Sequence, residues 1–216
     1  MTLLARAAAV LALGLALGLQ PAATRAARAA DAPAAQSPVP APPVEMTLGD
    51  PKAKVKVIEY ASVVCPHCAR FNAEVFPAFK AKYVDTGKVL YAFREFPTEP
   101  VNVAAAGFLV ARCAPAGRYF AVLDALFEGQ TKLFESRDVK QYLLDAGKVG
   151  GLDEAKIEAC LNDETAVKAF NTRVQTAFEK AKISATPTFV IGDKTLTGEQ
   201  TLAQLDAVIE PMLAAK

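Results

Sequence analysis

Four consecutive residues constrain this chain more than any others: Cys65-Pro66-His67-Cys68, set where an apolar strand gives way to a helix. The run Val55-Lys56-Val57-Ile58-Glu59-Tyr60 is rich in β-branched and aromatic residues with apolar side chains on both faces. That pattern predicts a central, buried strand. After the cysteines, Phe71, Val75, Phe76 and Phe79 recur at helical spacing. Pro77 is expected to kink that helix and Gly87 to stop it. Val89-Leu90-Tyr91-Ala92-Phe93 then reads as a second strand, apolar throughout. This strand–helix–strand order implies a βαβ unit with a parallel, buried sheet.

Residues 98–182 contain no convincing strand and instead carry successive helical stripes. Ala104, Ala105, Phe108 and Leu109 mark one helix, and Phe120, Leu123, Leu126 and Phe127 a second. Val139, Tyr142, Leu143 and Ala146 mark a third, with Gly147 as its expected stop. Ile157, Cys160 and Leu161 lie on a short fourth, and Val167, Phe170, Val174, Ala177 and Phe178 on a longer fifth. Strands return at Thr188–Ile191 and Lys194–Thr197, separated by Gly192-Asp193, a hairpin signal. Leu202, Leu205, Val208, Ile209 and Leu213 place a last helix, for which Thr197 and Gln200 could form a capping box. The order β-α-β, helices, β-β-α defines an α/β fold, and no repeat at solenoid period interrupts it.

The N-terminus has a different character. Arg6 precedes a continuous apolar run from Ala7 to Leu19, Pro21 ends it, and small residues follow, with Ala27-Arg28-Ala29 one plausible cleavage triplet. This is the layout of a secretory signal over residues 1–29, and the run is too short for a membrane span of ~20 residues. Residues 30–45 are crowded with Ala and Pro and lack apolar periodicity, so they read as an extended linker without an oligomerisation helix. Residues 46–216 form the remaining domain. The formal charge of +1 becomes negative once residues 1–29 are removed, because they hold three arginines and no acid. No electrostatic case exists for nucleic acid as a partner. The single histidine excludes a site built on several imidazoles within one chain.

Export places four cysteines in an oxidising compartment, where disulfides persist. Cys65 and Cys68 are too close for a loop-closing staple and pair naturally with each other, leaving Cys113 with Cys160. Two buried free thiols, or a second redox pair, are the alternatives for Cys113 and Cys160. A zinc site would need a second spaced pair of ligands, which these two distant cysteines do not supply. No metal, nucleotide or flavin site is expected.

Disulfide exchange needs one thiolate that attacks and a second thiol that resolves the mixed disulfide. Pro66 suits the first helical position, where its missing N–H costs nothing. Cys65 then faces the free amides and positive dipole end of the helix, both of which stabilise a thiolate. His67, if protonated or donating, adds to that effect. An unperturbed thiol is only ~3% ionised at pH 7, so a lowered pKa makes Cys65 far more reactive. Cys68, a turn further into the helix, is expected to stay neutral and resolve.

With this order of elements and the CPHC sequence, residues 46–216 resemble the DsbA family of thioredoxin-fold oxidoreductases. Thr186-Pro187, opening a strand, adds to the likeness. The resemblance implies a thioredoxin fold with an inserted all-helical domain at about 98–182. It implies that Thr186 and a cis Pro187 face the redox pair and contact substrate. It also implies that Glu59, six residues before Cys65, lies beneath the pair as a proton relay for Cys68. An exposed position on a solvated strand face is the other reading of Glu59. The implied activity is disulfide donation to unfolded or folding exported proteins in the periplasm, with a DsbB-like membrane partner reoxidising a monomeric enzyme. No cofactor beyond the redox disulfide is implied. Isomerase and reductase share the fold and motif, and Thr186 resembles the isomerases at that position. A chaperone-like binding module without turnover is the rival of a different class.

Overall fold

The computed structural model describes residues 45–215. The expected signal segment at 1–29 and the linker up to residue 44 lie outside the described residues. Glu45, the last linker residue, is held by Lys56 at 2.5 Å and by Arg94 at 2.7 Å.

Five strands form one sheet in the order β1-β3-β2-β4-β5. They are β1 (Met46–Leu48), β2 (Val55–Ala61), β3 (Val89–Glu95), β4 (Thr188–Ile191) and β5 (Lys194–Thr197). β2 and β3 run parallel, and the remaining pairs are antiparallel. β1, three residues paired with β3, is too short to carry a readable alternation. On β2, Val55, Val57 and Ala61 enter the main core. Tyr60 and Ile58 turn to the other face and pack with Phe96, Ala177 and Ile183.

The helical stretch after Cys65 begins as α1 (Pro66–Arg70), widens through a π-helical turn (Phe71–Val75), continues as α2 (Phe76–Phe79) and widens again (Lys80–Val84). Pro77 has no N–H to give the preceding turn, and the chain answers by widening. The Phe76 amide reaches back five residues to the Phe71 carbonyl, and the Asp85 amide bonds Lys80 O at 2.9 Å. The stretch keeps Phe71, Phe76 and Phe79 buried. Phe71 stacks on Phe189 at 4.7 Å and Phe76 on Tyr91 at 4.9 Å between ring centroids, which locks the helix to the sheet. Gly87, at φ +71°, turns the chain back into β3.

Six helices follow before β4: α3 (Val101–Cys113), α4 (Tyr119–Glu128), α5 (Gln130–Ser136), α6 (Val139–Val149), α7 (Glu154–Leu161) and α8 (Glu164–Ala181). α5 has too few apolar positions to show a stripe. α6 does not stop at Gly147 but runs on to Val149. Gly147 serves a packing need instead, since a Cβ there would come 2.5 Å from Ile157 Cδ1 on α7. The last helix, α9 (Leu202–Ala214), also departs from expectation. Its capping box is Thr201–Gln204, not Thr197–Gln200. Thr197 stays in β5 opposite Thr188, and Gln200 turns its amide to the Thr197 and Gly198 carbonyls, so the helix starts one turn later.

Cys113 and Cys160 are joined by a disulfide that ties the end of α3 to α7. At the end of β3, buried Glu95 bonds Arg112 of α3, Arg173 of α8 at 3.0 Å and the Tyr119 hydroxyl of α4 at 3.3 Å. These contacts hold the helices against the sheet. The disulfide closes a loop spanning a separation of 47 residues. Cys113→Ala/Cys160→Ala is therefore expected to lower the unfolding free energy by about 4 kcal/mol at most. Urea unfolding under oxidising conditions measures it.

Candidate active site

Cys65 is the N-cap of α1, with extended backbone at φ −86° and ψ 119°, and Pro66 occupies the first turn. The loop before it is held from three directions. The Cys65 amide bonds Ser62 O at 3.1 Å, and Ser62 Oγ accepts from the Thr98 amide at 3.2 Å. From α5, the buried Gln130 amide donates to Val63 O at 2.8 Å and to Cys65 O at 3.2 Å. From α6, the Tyr142 hydroxyl lies 3.1 Å from the same Val63 carbonyl and 2.9 Å from Leu126 O, sharing its one proton between them. Pattern reading misses Gln130 and Tyr142 as loop holders, because one sits on a helix too short to detect and the other reads as core.

Both cysteines are free thiols. Cys65 is 8% exposed and Cys68 is fully buried. Cys65 is lowered to about 5, first by a hydrogen bond from the Cys68 thiol, then by the Thr186 side chain and the Cys68 and His67 backbone amides. Burial opposes these donors and is outweighed. The Thr186 carbonyl, 3.4 Å from Cys65 Sγ, accepts from the thiol and offers nothing to the thiolate. Cys68 is pushed far up, by burial first and then by its bond and charge relation to Cys65. One sulfur of the pair therefore ionises and the other keeps its proton.

The Thr186–Pro187 peptide is cis and lies beside Cys65, so residues 121 apart in sequence meet at the sulfur. The Glu99–Pro100 peptide is also cis. Glu59 is 2% exposed, on the core face of β2. Burial, with a smaller contribution from the Cys65 charge, raises it to about 8 against the Tyr91 hydroxyl, which donates to Oε2 at 2.6 Å. Tyr91 lies on β3 and reads as core from its pattern; only the β2–β3 register brings it to Glu59. His67 is 60% exposed, and its Nδ1 meets Arg70 at 2.6 Å and Glu199 at 3.3 Å. Among the described residues no group of His, Cys, Asp or Glu could hold a metal ion. No described helix is long and apolar enough to cross a membrane.

A strand–dithiol–helix unit facing a cis-proline loop across a five-stranded sheet is a thioredoxin-fold site, and residues 42–211 match the family model described as Thioredoxin. The chain belongs to that family. Within it the chain is DsbA-like. The crystal structure of alpha-DsbA1 from Wolbachia pipientis is 30% identical at a TM-score of 0.72, covering 81% of this chain and 93% of that one. "Disulfide bond formation protein D" of Bacillus subtilis is 28% identical over 195 residues, 86% of this chain and 83% of that protein. A Rickettsia typhi protein named "Putative protein-disulfide oxidoreductase RT0103" is 32% identical over 68% of this chain, which spans only 54% of that protein.

Two pH dependences follow from opposite shifts. Cys65 is lowered, so its contribution to the stability of the reduced protein is complete above the unfolded thiol pKa and is lost as pH falls through about 5. Thiolate absorbance near 240 nm should show half-ionisation near pH 5, and Thr186→Val should raise that midpoint by about one unit. Glu59 is raised, so its contribution is present below the unfolded carboxyl pKa and is lost as pH rises through about 8. Glu59→Gln should therefore be about 2–4 kcal/mol more stable than the parent at pH 8, with the difference vanishing near pH 4, as read by urea unfolding.

Proposed function

We propose that this chain is an exported thiol–disulfide oxidoreductase that donates disulfides to newly secreted proteins through Cys65 and Cys68. The observation that carries the reading is the lowered pKa of Cys65, about 5, beside a Cys68 that stays protonated. A thiol that ionises two units below pH 7 stabilises the reduced form by about 2.7 kcal/mol, on the order of 60 mV toward a more oxidising disulfide. The expected signal segment and the curated relatives' names support export and exchange.

The chemistry begins from the Cys65–Cys68 disulfide. A client thiolate attacks Cys65 Sγ, the Cys65–Cys68 bond breaks, and Cys68 leaves as a thiolate that takes a proton. Glu59, buried and protonated below about 8, is the source of that proton. A second client thiolate then attacks the client sulfur of the mixed disulfide. Cys65 departs as the stabilised thiolate. The client loses two electrons and gains a disulfide; the pair gains them as a dithiol. Thr186 and Pro187 position the extended client beside the sulfur. A membrane oxidase of the DsbB kind restores the disulfide. Thr186, a polar residue before Pro187, favours disulfide isomerisation as the second reading.

The test is the redox equilibrium of Cys65–Cys68 against glutathione, using protein from residue 30 onward, acid-trapped and weighed by mass spectrometry. A potential above the glutathione poise supports a disulfide donor. A value near thioredoxin's, about −270 mV, would overturn that direction in favour of a reductase. Cys65→Ser should abolish transfer, and Cys68→Ser should accumulate client mixed disulfides through Cys65. Refolding of a scrambled client separates isomerase from donor. Client protection from aggregation that survives Cys65→Ser would make binding a separate activity.

A further inference from the structure

His67 lies between two side chains of opposite hydrogen-bonding character. Arg70, three residues along α1, places Nη2 2.6 Å from His67 Nδ1. Glu199, in the turn between β5 and α9, places Oε2 3.3 Å from the same nitrogen. Arg70 also donates from Nε to both Glu199 oxygens at 3.2 Å and from Nη2 to Oε2 at 2.9 Å. A guanidinium nitrogen only donates, whereas an imidazole nitrogen donates or accepts according to where the ring proton sits. At 2.6 Å from Arg70, Nδ1 has to be the accepting nitrogen, and the ring proton is on Nε2. A proton on Nδ1 would crowd the Arg70 N–H at 2.6 Å, even though Glu199 lies within reach at 3.3 Å.

We propose that Arg70 and Glu199 are positioning residues that hold His67 with Nδ1 as acceptor and the ring proton on Nε2, and that Glu199 offsets the Arg70 charge that acts on Cys65. The proposal rests on the reading of Cys65 and Cys68 as the redox pair, though the tautomer itself can be measured without it. Glu199 has a second effect. Its carboxylate offsets the Arg70 charge, which otherwise bears on Cys65: the thiolate and Glu74 both act on Arg70, after Glu199. Arg70 in turn holds Glu199 below the usual carboxylate range. The three side chains thus present little net charge beside the sulfur. None of this is visible in the linear sequence, because Glu199 is 132 residues from His67.

His67, Arg70 and Glu199 are 60%, 49% and 31% exposed, so solvent screens their charges. Effects of about two- to five-fold on the thiol–thiolate equilibrium are therefore expected, and not larger ones. The chain has one histidine, so a two-bond proton–nitrogen correlation spectrum of tag-free, nitrogen-15-labelled, reduced protein reports on that ring alone. The expected result is a bare Nδ1 and a protonated Nε2. Arg70→Met should mix the tautomers. Glu199→Gln leaves the Arg70 charge unbalanced and should favour the thiolate two- to five-fold, read from absorbance near 240 nm and from the glutathione equilibrium. An Nδ1–H tautomer in the parent, or a tautomer unmoved by Arg70→Met, would overturn the clamp. The expected tautomer with a thiol ionisation unmoved by Glu199→Gln would overturn its link to Cys65. Loss of exchange chemistry altogether would show in the parent and would sink the redox reading, leaving the tautomer result standing.

Discussion

A buried sulfur can carry a negative charge only if fixed donors replace the water it loses. The site is organised around that requirement at Cys65. Its donors come from the Cys68 thiol, the Thr186 side chain and two backbone amides of the opening helix turn. Each donor depends on a different part of the fold. Pro66 starts the helix where the amides remain free. The widened turns around Pro77 keep the following aromatic residues on the sheet, so the helix cannot roll and withdraw its N-terminus. The β4 strand, paired with β2, carries Thr186 to the sulfur at its leading edge.

The buried carboxyl beneath the pair gives that charge a counterpart in protons. Cys65 ionises at about 5 and Glu59 at about 8. Between those values the reduced site holds one negative charge, on Cys65, and one carboxyl proton, on Glu59. Tyr91 is a neutral donor, so it holds the carboxyl in place without supplying a cation that would force it to ionise. A buried acid with a cationic partner would have given its proton up well below neutral pH. Glu59 thus keeps its proton at neutral pH while Cys65 is ionised.

The inserted helices do more than cover the sheet. Gln130 and Tyr142, from two successive helices, converge on the carbonyl of Val63, two residues before Cys65. Glu95, at the end of β3, gathers Arg112, Arg173 and Tyr119 around a carboxylate that is 1% exposed. A buried charge of that kind requires its partners, and it fixes where three helices meet the sheet. The Cys113–Cys160 disulfide closes the same helical region by joining the end of α3 to α7.

Much of this was legible along the chain. The family resemblance implied Thr186-Pro187 as the facing loop, while hydrophobic period separated strands from helices and CPHC at a strand–helix junction placed the sulfur pair. Those features are local, and a side chain's neighbours three or four residues away settle them. The departures came where geometry across the fold decides. Gly147 reads as a stop, but Ile157 needs its missing Cβ. Thr197 reads as a helix cap, but β4 claims it. Whether Glu59 is buried depends on which face of β2 meets the helix, and its partner Tyr91 is chosen by strand register. His67 belongs to the motif, yet its bonding is set by Arg70 and Glu199 meeting across the end of the sheet. The sequence by itself determined the order of elements, the placing of the paired cysteines and the direction of thiol ionisation at a helix start, because propensity and dipole act over one turn. Only the tertiary structure decided which donors surround each ionisable group, because burial and long-range hydrogen bonds set its charge.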